Sequence, residues 1–482
     1  MTRQLIRDGF VVTVNRSREV FPAGYVVIDD TRIADVGPAT ACPADQGFDR
    51  VIDAAGQVVL PGLINAHQHD WYALFKGIAD GLLLEDWVGE ILLPLARTMD
   101  ARAHRLGGLT AGIEMLATGT TCSLNHSVTT SSDRDVDAIL QAQLDLGMRQ
   151  VFAKDMRCRT HGHPDHPLDL DQALDEFERQ HAAWNGAGDG LVRFAMALES
   201  NAHWVAAGMS TEELIRRGHE LAGKLGLQIT AHIAGGTFSL EKGFLKYLRE
   251  TGRTDVRYLM QLGVLDRSWI LAHGIHVTEL DLEHMAHTGA HLAYTPSSES
   301  IRGGGIGPAS NALKAGVNVA LGTDGPMVDY SNDMLEQVKV CAMMQHNRHL
   351  DPLRIPPETA IEMATINAAK ALNLDDRIGS LEPGKLADIA VFDLDLPHIG
   401  VVHRPISTLV CAGRGSDASL VMVNGETLFE NGALTRDLDV TAIKAEAAKV
   451  ALEILESTGL TQRLTPHWRT SPADKDAMPN AA

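Results

Sequence analysis

A closed barrel of eight parallel strands, each followed by a helix, is the fold the sequence predicts, with a small β-sandwich built from the two chain ends. Three observations predict this α/β architecture. Through the middle of the chain, apolar strand-like runs alternate with amphipathic helical stretches, which is how βα units around a parallel sheet read. Eight such runs are present, at about residues 58–66, 119–124, 149–153, 191–199, 227–232, 269–273, 290–294 and 317–323. Four of them end in a metal-competent side chain, and a barrel of this kind holds its catalytic groups at the C-terminal ends of its strands. An open doubly wound sheet is the alternative, but its nucleotide fingerprint is missing.

Taken in order, residues 4 to 59 read as short alternating strands broken by turns, among them Phe10-Val11-Val12-Thr13-Val14, Tyr25-Val26-Val27-Ile28 and Arg32-Ile33-Ala34-Asp35-Val36. The same texture returns in Ala387-Asp388-Ile389-Ala390-Val391-Phe392-Asp393 and in Ser419-Leu420-Val421-Met422-Val423. Residues 1–59 together with 385–435 are therefore expected to form one composite β-sandwich around the barrel of residues 60–384, with 436–482 a C-terminal helix and polar tail. Helices are expected over Asp100 to Leu116, Ser132 to Leu146, Ser210 to Leu225, Glu279 to His287, Met334 to His346 and Val440 to Ser457.

Composition narrows the function classes. A formal net charge of −20 argues against nucleic acid and against an anionic membrane surface. Five scattered cysteines without a C-x-x-C pair fit a reducing cytoplasm better than a disulfide framework or a thiolate zinc site. No apolar run approaches a membrane span and no secretory h-region opens the chain, so a cytoplasmic protein acting on a small molecule is expected.

The chemistry begins at Pro61-Gly62-Leu63-Ile64-Asn65-Ala66-His67-Gln68-His69, an apolar run ending in two histidines. Side chains at i and i+2 of a strand share a face, so His67 and His69 would present two imidazoles to one ion. Ile229-Thr230-Ala231-His232, Ile270-Leu271-Ala272-His273 and Leu321-Gly322-Thr323-Asp324 repeat the design. His67, His69 and His232 are nitrogen donors suited to Zn2+ or Fe2+, and Asp324 adds an oxygen that can also accept a proton from bound water. Such an ion lowers the pKa of its water from 15.7 toward about 7. His273 would sit beside that water as a proton shuttle or as a donor to a developing oxyanion. Alone, His232 or His273 would more often be a structural histidine, and Asp324 a turn residue.

These residues, with Gly119-Thr120-Thr121, Leu271-Ala272-His273-Gly274, Gly322-Thr323-Asp324-Gly325 and Gly379-Ser380-Leu381-Glu382-Pro383-Gly384-Lys385, resemble the amidohydrolase superfamily and its cytosine-deaminase-like and triazine-hydrolase-like branch. The resemblance covers nearly the whole chain and implies a distorted (β/α)8 barrel with a β-sandwich from both ends. It also implies His67, His69, His232 and Asp324 as ligands of one divalent ion, with His273 as the strand-six histidine. One ion is expected because the fourth strand, Phe194 to Ser200, has no lysine where two-metal members carry a bridging one; Lys154 ends the third strand instead. Homo-oligomers are common in the family.

Two departures bear on the reaction. Members of this branch usually carry a glutamate three residues beyond the third histidine, which protonates a ring nitrogen; here that position is Gly235. Where relatives commonly have asparagine, Pro296-Ser297-Ser298-Glu299 has Glu299, which either supplies the missing acid or is an exposed loop residue. Losing a general acid costs roughly 10²–10⁴-fold, whereas amide, urea and carbamate carbonyls need no ring protonation. The first reading is therefore hydrolysis of a non-peptide C–N bond in a small amide, urea or carbamate. The alternative is hydrolytic deamination, or loss of a halide or amine, at an N-heteroaromatic ring. A metal-binding scaffold without activity is the third.

Substrate contacts are expected from Tyr72 and Trp87 after the first strand, Trp204 after the fourth, and the Gly235 backbone. Arg157 to Pro167 is a lid, a second metal patch or an ordinary polar loop, and Cys122 and His126 are unassigned. Gly303 to Pro308 is assigned flexibility alone, and Trp468 in the tail suggests docking on a neighbouring surface.

Overall fold

The structure, a computed structural model, describes residues 2–127, 132–161, 166–201 and 210–465. The chain opens with β1 (Arg3–Val12), β2 (Val20–Asp29), β3 (Arg32–Pro38), β4 (Arg50–Asp53) and β5 (Gln57–Pro61). The barrel follows as β6 (Leu63–Gln68), β7 (Thr120–Ser127), β8 (Arg149–Asp155), β9 (Val192–Ala197), β10 (Ile229–Ile233), β11 (Trp269–His273), β12 (His291–Tyr294) and β13 (Asn318–Leu321). The chain then returns to the first module with β14 (Ile389–Asp393), β15 (Ala418–Val423), β16 (Glu426–Glu430) and β17 (Ala433–Leu434).

All eight barrel strands pair in sequence order and in parallel. Most of their residues are buried, as covered parallel strands must be. Between β13 and β6 the barrel is drawn together by contacts beyond the ladder. The Asp324 amide donates to the His67 carbonyl at 2.9 Å, and the Asn65 and Thr323 side chains bond across the seam at 2.9 Å. A Cβ at Gly322 would lie 2.7 Å from the His67 carbonyl oxygen, so only glycine permits this approach. Thus the two ends of the barrel sheet meet where His67 and Asp324 stand.

Helices start where local capping says they should. α1 (Ala101–Ala117) begins after Asp100, whose side chain accepts from the Ala103 amide. α2 (Asp133–Leu146) opens on a Ser132/Asp135 capping box and stops at Gly147. α3 (Glu212–Leu225) is capped by Thr211 and ends at Gly226. Further on come α4 (Phe244–Thr251), α5 (Glu279–Thr288), α6 (Pro296–Ile301), α7 (Met334–His349) and α8 (Val440–Ser457). α8 docks on its own barrel: Val450, Ala451 and Ile454 join the cluster around Trp71, Leu95 and Leu106, and Arg102 of α1 pairs with Glu446 and Glu453.

The chain ends meet in one module, as expected, but as a single nine-stranded sheet that is mixed rather than purely antiparallel, because β4 and β5 run parallel to β1. β5 pairs antiparallel with β14, joining the two chain ends. Strand alternation splits its faces cleanly. Val59, Ile389, Val391, Leu420 and Met422 form the sheet's own core with Ile6 and Val26, while Val58, Leu60, Ala390, Phe392, Val421 and Val423 join the large cluster that includes the barrel's outer shell. At the barrel end facing the sheet, buried Arg149 forms a two-bond fork to Asp388, 2.8 and 3.1 Å. Among the described residues no helix is long and apolar enough to cross a membrane.

Candidate metal centre

The four expected ligands converge. From His67, His69, His232 and Asp324, one donor atom each lies within 4.8 Å of all the others. Asp324 Oδ1 is 3.5 Å from Nε2 of both His67 and His69, and the Nε2 atoms of His69 and His232 are 3.3 Å apart. Ligands each about 2.0–2.1 Å from a tetrahedral zinc ion would be separated by roughly 3.3–3.4 Å, so the donor set fits such an ion. His67 is fully buried, and neither ring nitrogen has a hydrogen-bond partner. A buried polar group without a partner costs free energy unless something completes it. Burial, aided by the neighbouring histidines and opposed by Asp324, pushes the His67 pKa well below the ordinary range and keeps the ring neutral, the form in which an imidazole can bind an ion.

Each remaining ligand is held from behind. His69 Nδ1 donates to the His126 carbonyl oxygen at 2.5 Å, which turns Nε2 to the site. His232 Nδ1 bonds Glu199 Oε1, and His126 Nε2 lies 3.1 Å from the same oxygen. Such a carboxylate fixes the tautomer and orientation of a ligand histidine. Burial would raise the Glu199 carboxyl, but His232 and His126 outweigh it and hold it well below its usual range. Asp324 Oδ2 accepts from Arg302 at 2.9 Å, leaving Oδ1 for the ion. Burial would raise Asp324 too; Arg302 and the site histidines win and keep it anionic.

His273 stands beside the ligands, with its ring centre 5.2 Å from that of His67 and 5.3 Å from that of His232. Its Nδ1 lies 3.0 Å from Glu299 Oε1 and 2.9 Å from Thr295 Oγ1, which leaves Nε2 for a substrate. Glu299 is on α6 rather than in a loop, almost fully buried, and paired with Arg302 at 2.7 Å. Burial would raise its pKa, but Arg302 and His273 lower it. An anion so paired accepts protons rather than donating them, and Glu299 does not line the cavity. Gly304 makes its position feasible: a Cβ there would sit 2.1 Å from Glu299 Oε2, so the glycine-rich run makes room for a carboxylate beyond the flexibility expected of it. Backbone strain gathers here, with φ of 71° at His273, 68° at Asp324 and 45° at Ala234.

A cavity of about 690 Å3 opens over the centre and is lined by His69, His232, His273 and Asp324 at its chemical end. Tyr72 and Trp87 line it, and Trp87 also belongs to the core, with Nε1 3.3 Å from Met327 Sδ. Gly235 lines it too; an added Cβ would meet nothing closer than 3.8 Å. Trp204 and Trp468 lie outside the described residues. Of the loop 157–167, residues 162–165 are likewise outside them, Arg157 and His166 reach the cavity, and His161 bonds Thr211. Cys122 is a core thiol whose pKa burial pushes up to about 12. His126 supports the centre. Lys154 lies 3.5 Å from Glu176.

Sequence reasoning missed Glu199 and Arg302. Glu199 lies two residues past the end of β9, so its position carried a signal, and Arg302 is one helical turn beyond Glu299.

Comparison with known proteins agrees with this geometry. A profile of the amidohydrolase family matches residues 58–428. The chain is 32% identical over 449 residues to the 5-methylthioadenosine/S-adenosylhomocysteine deaminase of Moorella thermoacetica, covering 93% of this chain and 99% of that one. It is 31% identical over 441 residues to the 5'-deoxyadenosine deaminase of Methanopyrus kandleri, covering 90% and 95%. Among solved structures, an adenosine deaminase from Xanthomonas campestris with bound zinc superposes with a TM-score of 0.85 at 24% identity, covering 94% of this chain and 99% of that one. The zinc complex of an atrazine chlorohydrolase from Arthrobacter aurescens gives 0.82 at 23%, covering 93% and 100%. The chain belongs to the amidohydrolase family, and is a hydrolase of carbon–nitrogen bonds other than peptide bonds.

Proposed function

We propose that the protein is a hydrolytic deaminase of amino-substituted N-heteroaromatic rings, working with one zinc ion held by His67, His69, His232 and Asp324. The observation that carries this is a single four-donor centre with a carboxylate-held histidine beside it, in a chain about a third identical over almost its full length to purine nucleoside deaminases. When bound, the ion supplies a nucleophilic oxygen at neutral pH by lowering the pKa of a water molecule toward about 7. His273 Nε2 takes a proton from the attacking water as its oxygen bonds the ring carbon and returns it to the amino group that leaves as ammonia when the carbon–nitrogen bond breaks, and Asp324 shares that duty. Glu299 positions His273 through Nδ1, and Arg302 fixes both carboxylates. Tyr72 and Trp87 flank a flat ring on one side of the cavity, with the Gly235 backbone in its lining.

Gly235 favours a second reading. With no acid on the stretch that follows β10, amide, urea or carbamate carbonyls are the easier electrophiles. Release of ammonia or amine by zinc-loaded protein, measured over paired panels of amino-purines, amino-pyrimidines and amino-triazines against aryl amides, ureas and carbamates, separates the two. Turnover confined to the carbonyl compounds overturns the deaminase reading.

A further inference from the structure

His69 stands just beyond its strand, because β6 ends at Gln68 and a short helical turn begins at Asp70. The ladder that leads to it is irregular. Asn65 pairs with Ser123 and Gln68 with Asn125, a step of three residues on β6 against two on β7. A bulge of this kind re-aims side chains, and a slip of one residue would turn His69 to the opposite face. The ladder alone therefore does not hold this ligand in register.

Asp70 and Asn125 supply a second hold. The Asp70 amide donates to Asn125 Oδ1 at 3.3 Å, and Asn125 Nδ2 donates to Asp70 Oδ2 at 2.8 Å. The pair is reciprocal, and each member is the chain neighbour of one end of the bond from His69 Nδ1 to the His126 carbonyl. Two successive residues beyond β6 are thus tied to two successive residues of β7. The Asp70 carboxylate is fixed in turn by Gln68 Nε2, by Gln150 Nε2 of β8 at 2.9 Å and by Gln143 Nε2 of α2 at 3.3 Å. Gln143 also donates to the Gly108 carbonyl of α1 at 3.3 Å. A Cβ at Gly107 would lie 2.7 Å from Trp71 Cα, so α1 approaches this turn through glycine. All five polar side chains are buried, and a buried carboxylate is tolerated only where hydrogen bonds serve it. Its place is set by four amides.

We infer that Asp70 and Asn125 are positioning residues for the metal centre, their reciprocal pair setting the direction of the His69 ring. The inference rests on the four-donor centre and on neither reading of the substrate. None of the five side chains lines the cavity, so their effect on the centre passes through His69.

The test uses full-length protein stripped of metal and reloaded. Chelator competition gives zinc affinity, the absorption bands of the cobalt(II) form report ligand geometry, and denaturant unfolding of the metal-free protein gives stability. Asn125→Ala removes the pair and leaves Asp70 its three glutamines; it should weaken zinc by about 10–100-fold and shift the cobalt bands. Asn125→Leu, close to asparagine in shape, is read in the same way where the alanine variant does not fold. Gln143→Met removes a donor to the same carboxylate without touching the pair. It should lower the stability of the metal-free protein and leave zinc affinity and the cobalt bands unchanged. Parental affinity and bands in the Asn125 variants overturn the inference. Equal weakening by Gln143→Met overturns it too, because the loss would then follow the packing of the whole cluster. A parent that takes up no zinc removes the four-donor centre and the inference with it, whereas variants that differ from a zinc-binding parent only in stability remove the inference alone.

Discussion

Both ends of the barrel bury charge, and they handle it in opposite ways. At the end facing the composite sheet, Arg149 spends its guanidinium on Asp388, the Gly190 carbonyl and Asn424, and the cluster is complete within the chain. At the other end, His67 keeps two buried nitrogens without partners, and His273 and Asp324 hold left-handed backbone. The first arrangement is closed within the chain, whereas the second is a set of donors arranged as an ion would need them. Buried polarity alone therefore does not identify a site; here it is the convergence of four donor atoms around an imidazole without partners that does.

The largest effect that tests this contrast is His67→Ala. Bound zinc should vanish and kcat/KM should fall by more than about a thousandfold, since the ion's contribution is several kcal/mol. In the metal-free state the variant should lose what the emptied space costs, because the ring removed is fully buried, and the rise in melting temperature on adding zinc should disappear. A variant that zinc still stabilises would break the contrast. Arg149→Met is its mirror image. Breaking a buried ion pair should cost about 3–5 kcal/mol in denaturant unfolding, while the folded fraction still binds one equivalent of zinc; loss of zinc stoichiometry would show that the two ends are not independent.

Smaller effects sharpen the picture inside the site. Glu199→Gln should weaken zinc affinity by about 10–100-fold in chelator competition, because His232 loses the carboxylate that orients it. Glu299→Gln should leave zinc content intact and lower kcat by about tenfold on every substrate turned over, as expected of a group acting through His273. A loss confined to heteroaromatic substrates would instead make Glu299 the ring-side acid. Smallest of all, Gly235→Ala should leave stability unchanged or raise it by at most about 1 kcal/mol, because its Cβ meets only ordinary contacts. Destabilisation beyond that would mean the lining is tighter than its geometry shows.

Much of this was legible in the sequence because the signals were local. Each barrel strand is a short apolar run, caps such as Asp100, Ser132 and Thr211 mark helix starts, and the i, i+2 spacing of His67 and His69 sets both on one face. What stayed hidden depends on distant partners. Nothing near Glu199 in the chain tells that His232 and His126 will close on it. Glu299 alone looked like a loop residue or an acid; it became a partner of His273 once Arg302 and Gly304 were placed around it. The parallel pairing of β5 with β1, which makes the end module one mixed sheet, is likewise a long-range choice that alternation cannot encode.

The pairing of β5 with β14 also sets an order of events during synthesis. Leu60 leaves the ribosome long before its partner Ala390, and at about 5–20 residues per second the gap is on the order of tens of seconds. Throughout that time β5 offers an open, apolar edge, which is a template for pairing with another chain. Slower elongation lengthens the exposure, and a chain cut before β14 never ends it. The return of the last strands to the first is thus what closes that edge, even though those last strands lie far in the chain from the residues of the candidate centre.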